Sequence, residues 1–265
     1  TGGNRTLETR TTFDGTYGHP LTVSTIPSDA AGRCTTTTYA APNTSAWVIG
    51  LPSEVRTVAK TCADAGGAVF PQDLVSDVKT TYDGGAWGAA ATRGLATSTQ
   101  AVDRYTGSTP HWVGTGSTTY DALGRALVTT DALGRTTSTA YTPAATFPLL
   151  STVQTNTAPF SWATTTTFEP TTGTTASITD PNGALTTITV DALGRTSNVW
   201  LPLHTKAAFP SQASLGFTYT LSQTAPNTVR TVKLTGNAAV ESFELFDGLG
   251  RSVQSQSLAG GEGPW

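Results

Sequence analysis

The residues of this chain that could carry out chemistry are few and dispersed. His19, His111 and His204 are its 3 histidines, and none sits in a metal-binding motif. Ser and Asp are so abundant that a hydrolytic triad assembled from them on paper carries no weight. Glu54, Glu169, Glu241 and Glu244 could supply the carboxyl pair of a glycoside hydrolase, yet no local motif surrounds any of them. Gly84-Gly85-Ala86-Trp87-Gly88 is glycine-rich but lacks the Lys-Ser/Thr ending that holds a phosphate. The sequence therefore assigns no catalytic residue, cofactor or metal ligand, and it predicts a protein that is not an enzyme.

Cys34 and Cys62 are the only 2 cysteines. Cys34 falls in a Thr-rich predicted strand, Arg33 to Tyr39, and Cys62 ends a predicted strand that begins near Glu54. Pro42, Asn43, Gly50 and Pro52 let the chain double back between them, so both can reach disulfide distance. The alternatives are a disulfide and two buried thiols. Zinc would need a second close pair. Low charge, abundant Thr and scarce Lys suit export, which favours the disulfide.

The elements that carry these residues are set by a repeat. The string Asp-Ala-Leu-Gly-Arg occurs at Asp121–Arg125, Asp131–Arg135 and Asp191–Arg195, and Asp-Gly-Leu-Gly-Arg follows at Asp247–Arg251. An Asp opening a turn accepts hydrogen bonds from amides two or more residues on, and a Gly in fourth place supplies positive φ without a Cβ clash. Gly124, Gly134, Gly194 and Gly250 fit that role, and Arg125, Arg135, Arg195 and Arg251 begin the return strands. Leu123, Leu133, Leu193 and Leu249, the large apolar groups of the corners, are expected to tuck inward. Each string reads as a type I turn closed by a glycine bulge. Asp121 and Asp131 lie ten residues apart, leaving a strand of about six residues between corners. Asp180-Pro181-Asn182-Gly183, a predicted strand from Ala184 to Val190 and the corner at Asp191 repeat that rhythm.

Tyr120-Asp121-Ala122-Leu123-Gly124-Arg125 resembles the tyrosine-aspartate core of the RHS/YD repeat family, and Phe246-Asp247-Gly248-Leu249-Gly250-Arg251 matches it with Phe for Tyr. The family comprises bacterial RHS proteins, shell components of insecticidal toxin complexes and teneurins. Thr130 and Val190 stand where the aromatic residue belongs before Asp131 and Asp191. The match is strong from about Thr118 to Leu258. Phe13-Asp14-Gly15 and Tyr82-Asp83-Gly84-Gly85 look like degenerate corners, and Trp47-Val48-Ile49-Gly50-Leu51-Pro52 resembles a linking strand of actinobacterial relatives. The resemblance implies one continuous segment over 1–265, degenerate over 1–110 and clear over 111–265; a small separate β domain ending near Pro110 is the alternative. Asp180-Pro181-Asn182-Gly183-Ala184 differs from the family's self-cleavage motif by Ala for Leu and reads as a plain turn.

Composition agrees with an all-β fold, and the resemblance implies that its antiparallel hairpins form part of a curved shell. About one residue in five is Thr, which favours strands, and 27 Gly and 15 Pro punctuate them. Leu21 and Val23 alternate with Thr22 and Ser24, as do Val232 and Leu234 with Thr231 and Lys233. A net charge of −3 and 12% charged residues give no basic stripe for nucleic acid, and no apolar run approaches a membrane span. With no Met, and ending in Gly260-Gly261-Glu262-Gly263-Pro264-Trp265, the chain reads as a piece excised from a longer one. The aromatics, Tyr39, Tyr82, Tyr105, Tyr120, Tyr141 and Phe246 among them, are expected to pack the inner face of the sheet. Alternatively Trp87 and Trp112 are exposed for sugars or a partner. The resemblance implies a non-enzymatic segment of a secreted or cell-surface bacterial shell. Its partners would be the rest of the repeat chain and an enclosed toxin or effector polypeptide. An extracellular adhesion or carbohydrate-binding module is the alternative.

Overall fold

The computed structural model describes residues 5–157, 160–236 and 238–257. The sequence expectations on Leu258 and on Gly260 to Trp265 lie outside them. Among the described residues the chain is all-β: 18 strands in antiparallel pairs, with a single 3-10 turn at Ala65–Gly67. Two compact units divide it, Thr1–Ser138 and Thr139–Trp265.

The first unit contains β1 (Leu7–Phe13), β2 (Pro20–Pro27), β3 (Arg33–Tyr39), β4 (Pro52–Val58), β5 (Leu74–Tyr82), β6 (Ala96–Thr106), β7 (Thr109–Tyr120) and β8 (Ala126–Asp131). Each pairs antiparallel with the next. β8 then pairs with the start of β9 (Thr136–Thr142). The second unit continues with β10 (Ser151–Asn156), β11 (Ala163–Phe168), β12 (Thr175–Thr179), β13 (Leu185–Val190), β14 (Thr196–Trp200), β15 (Leu215–Thr220), β16 (Asn227–Thr235), β17 (Ala238–Phe246) and β18 (Ser252–Ser257). From β10 to β18 these again pair in chain order.

Threonine makes such strands cohere in two ways. Its branched Cβ suits the pleat, and its hydroxyl reaches the opposite strand. Thr12 meets Thr22 at 2.7 Å, Thr35 meets Thr57 at 2.9 Å, and Thr167 meets Ser177 at 2.7 Å.

Apolar burial is concentrated where a long connection folds back over a face. In the first unit the lobe 59–73 follows β4. Cys62, which sits beyond the end of β4 rather than within a strand, forms a disulfide with Cys34 at a Cα separation of 4.7 Å. The Cys62 amide donates to the Ser24 hydroxyl at 3.0 Å. That lobe changes which face of β2 is inside: Ser24 is buried, while Leu21 of the opposite face is 37% exposed. In the second unit the lobe 201–214 covers Trp200, whose indole N–H donates to the Phe209 carbonyl at 2.8 Å.

Candidate functional site: the row of hairpin corners

At all four repeat strings the same hydrogen-bond set recurs. The Gly amide donates to the Asp carbonyl at 2.9–3.1 Å, and the Asp amide donates to the Arg carbonyl at 2.8–3.0 Å. Asp Oδ1 accepts from the Leu and Arg amides, as at Asp121 from Leu123 (2.8 Å) and Arg125 (2.9 Å). Equivalent bonds hold Asp131, Asp191 and Asp247. The glycines have φ of +82° at Gly124, +76° at Gly134, +77° at Gly194 and +76° at Gly250, a region closed to β-branched residues. A one-residue register shift accompanies the corner at Tyr120, Val190 and Phe246, where the bulge increases the twist.

Arginine does more than restart the strand. The Nε of Arg125, Arg135, Arg195 and Arg251 donates to Oδ2 of its own Asp at 2.6–2.8 Å, so each corner carries an internal ion pair. The Arg135 and Arg195 side chains lead the forces that hold Asp131 and Asp191 below the usual carboxylate range. At Asp247 the Arg251 amide leads. Asp121 is also lowered: burial opposes the shift, and bonds from Arg125 and Leu123 outweigh it. These carboxylates are occupied as turn acceptors. Asp180 serves the same way without an Arg, accepting from Asn182 and Ala184 at 2.8 Å.

The corner leucines point outward instead of inward. Leu133, Leu193 and Leu249 are 73–80% exposed and Leu123 is 42% exposed. The tip of so short a turn lies beyond the last strand pair, and at Asp121 the Arg93 side chain covers it in part.

The corners at Asp14 and Asp83 are longer variants. Asp14 accepts from the amides of Thr16, Tyr17 and His19, and the positive φ belongs to Gly18 rather than Gly15. Asp83, itself at φ +53°, reaches across an inserted loop. Its Oδ2 accepts from Thr92 (2.7 Å), Arg93 (2.8 Å) and Gly94 (3.1 Å), and its Oδ1 from Leu95 (2.9 Å). Burial pushes the Asp83 carboxyl up, but these four amides overcome it and bring its pKa down to about 2. Trp47 to Leu51 forms part of another corner, closed by the Ala40 amide on the Leu51 carbonyl at 2.9 Å; the following strand starts only at Pro52.

Because neighbours alternate in direction, corners after odd-numbered strands share one edge of each unit. Asp14, Asp83 and Asp121 lie on one edge of the first unit and Asp131 on the other. In the second, Asp191 and Asp247 share an edge and Asp180 lies opposite. The edge of Asp14, Asp83 and Asp121 is where the aromatic half of the motif has a task that sequence reasoning missed. The Tyr39 hydroxyl donates to the Pro20 carbonyl, Tyr82 to Pro52 and Tyr120 to Ala96, each at 2.8 Å. Every acceptor is the first residue after the preceding corner on that edge. Tyr219 does the same in the second unit, donating to Thr196 at 2.9 Å while its ring lies under Arg195.

Further staples run corner to corner. A Cβ on Gly50 would come within 2.6 Å of His19, and Gly94 packs on Leu51 and Val48. Asn43 donates to the Ala91 carbonyl at 2.9 Å, and Arg93 clasps the carbonyls of Asp121 and Ala122 at 3.3 and 3.0 Å. No local motif announces these contacts.

The remaining sequence candidates are dispersed. His19 belongs to the Asp14 corner, His111 pairs with Asp103 at 2.8 Å, and His204 stacks on Phe209. Glu169 opens a corner, and Glu241 pairs with Arg230. Trp87 and Trp112 flank Lys79, 4.2 and 4.0 Å from its ammonium, and Trp87 is still 46% exposed. Among the described residues no helix is long and apolar enough to cross a membrane.

No family model and no curated protein matches the sequence. Solved structures do. A TcdB2-TccC3-Cdc42 complex matches with a TM-score of 0.63 and 12% identity, over 91% of this chain and 20% of that one. TcdB2-TccC3 without its hypervariable C-terminal region matches with a TM-score of 0.63, 12% identity and coverage of 92% and 20%. The Photorhabdus luminescens Tc holotoxin pore matches with a TM-score of 0.53 and 13% identity, over 95% of this chain and 12% of that one. The chain thus spans a fifth or less of the chains it resembles, and it shares their RHS/YD toxin-complex fold.

Proposed function

We propose that this chain is a non-enzymatic wall segment of a secreted or cell-surface bacterial RHS/YD shell, one continuous repeat array over 1–265 that encloses or scaffolds a toxin or effector polypeptide. The observation that carries the reading is the row of corners on one edge, each tied to the preceding one through a tyrosine hydroxyl or a side-chain staple. Such a row stiffens a sheet that has little apolar core of its own, which suits a wall more than a pocketed enzyme. The toxin-complex fold supports the same reading.

Open edges support the proposed partnership with the rest of a repeat chain. Among the described residues β1 pairs with β2 alone and β18 with β17 alone, and every residue of both strands is exposed. Edges of that kind recruit further strands.

The test is protease protection of the full-length gene product. Enclosure predicts that a polypeptide encoded downstream resists protease in the intact protein and becomes sensitive when the corners are loosened, for instance by Asp121→Ala with Asp191→Ala. Equal sensitivity in both, with binding to a glycan array, would replace the shell by the adhesion reading.

A further inference from the structure

Among the described residues the most deeply buried charge lies away from the corners, on the face of β4 and β5 beneath the disulfide-anchored lobe. Asp77 has a side chain with 0% exposure; its Oδ2 accepts from Arg56 Nε at 2.7 Å. Its Oδ1 is buried and has no hydrogen-bond partner. A bare buried carboxylate oxygen is costly and calls for a donor.

One donor is in place. Register sets Arg56 opposite Asp77 and Glu54 opposite Lys79, which puts the four side chains in a square on one face. Arg56 Nη2 donates to Glu54 Oε1 at 2.8 Å while its Nε holds Asp77, so one guanidinium gathers the two carboxyls side by side. Lys79 stands 3.9 Å from Glu54 Oε2, drawn toward the faces of Trp87 and Trp112. Tyr105 of β6 is the other titratable neighbour, and Phe70 of the lobe stacks on its ring and lies under Arg56. β3 offers only Thr38 opposite Glu54 and Thr36 opposite Arg56. Lys60 and Asp73, 3.6 Å apart, pair with each other at the base of the lobe.

We propose that Glu54 and Asp77 hold one proton between them, Glu54 donating to the open Asp77 Oδ1, and that this proton clamps the Phe70 lobe 63–73 onto the face, so that the lobe tightens in acid and loosens toward neutral pH. The proton comes from solvent and returns to it; no bond other than O–H is made or broken. The electrostatics run the same way: burial, then the Asp77 charge, raise Glu54 above the usual carboxylate range against the pull of Arg56 and Lys79. A group raised in the folded state contributes stability that is complete below its unfolded value and is lost as pH rises through the folded one. The corner aspartates, which are lowered, behave oppositely. The clamp is independent of whether the chain walls a shell.

The test uses the whole chain. Carbon-13 carboxyl NMR should show Glu54 titrating above the ordinary glutamate range. Hydrogen exchange across 63–73, corrected for intrinsic rates, should slow by about tenfold from pH 7.5 to pH 5. Glu54→Gln places an amide donor against Asp77 and should keep the lobe protected at both pH values. A Glu54 titration at or below the ordinary range overturns the proposal, and so does a lobe whose pH dependence persists in Glu54→Gln. The wild-type titration stands even if a variant fails to fold.

Discussion

Replacing Asp83 by Asn isolates the contribution of a carboxylate to a long corner. Asn tolerates the +53° φ of this position, so the backbone is not the perturbation. What is lost is the charge and one of two acceptor oxygens, while four amides still point at the site. Lowering the pKa from 3.8 to about 2 corresponds to at most about 2.5 kcal/mol. Solvent screening at a partly exposed carboxylate reduces this to about 1–2 kcal/mol. The sign follows from the direction: a lowered folded-state value gives stability that is present above about pH 4 and lost as pH falls through about 2. Urea unfolding at pH 7 should therefore show Asp83→Asn about 1–2 kcal/mol less stable than wild type, and the gap should close near pH 2. Equal stability at pH 7, or a gap unchanged at pH 2.5, would refute the assignment of this carboxylate as the acceptor that holds residues 92–95.

Gly194→Val should destabilise by more than about 1 kcal/mol in chemical denaturation, since φ is +77° at this position; a neutral result would remove the positive-φ argument. Tyr120→Phe deletes the bond to Ala96 and should cost about 1 kcal/mol, whereas a Phe substitution without effect would leave the tyrosine as packing alone. The disulfide closes a separation of 28 residues, so Cys34→Ser with Cys62→Ser should lower stability by about 3–4 kcal/mol on the chain-entropy account. Non-reducing mass spectrometry should find the chain two hydrogens lighter, and two freely alkylatable thiols in protein recovered from culture medium would contradict the bond.

Which features the sequence discloses depends on the range of the interaction. The four glycines and their aspartates are legible because the whole corner closes within five residues, through bonds any Asp-x-x-Gly segment can make. The Asp83 corner is only half legible, because its amides arrive 9–12 residues later, beyond an insertion. The tyrosine staples are hidden for the same reason: Tyr120 and Ala96 are 24 residues apart and meet only after β6 and β7 have paired. Leu193 misleads because hydrophobicity alone predicts burial, whereas a turn tip has nothing above it. Cys62 falls outside β4 because the chain leaves the ladder at Val58 to build the lobe, and that lobe in turn buries Ser24, which alternation alone would leave polar and outward.

The central claim is that this chain is one stretch of a longer repeat wall, and the structure of the full-length gene product by electron cryomicroscopy tests it most directly. The account predicts that β1 and β18 each gain an antiparallel partner from flanking repeats along their free edges, and that one face of the resulting sheet encloses a separate polypeptide. Full-length protein in which both edges stay open to solvent and both sheet faces lie bare would contradict it.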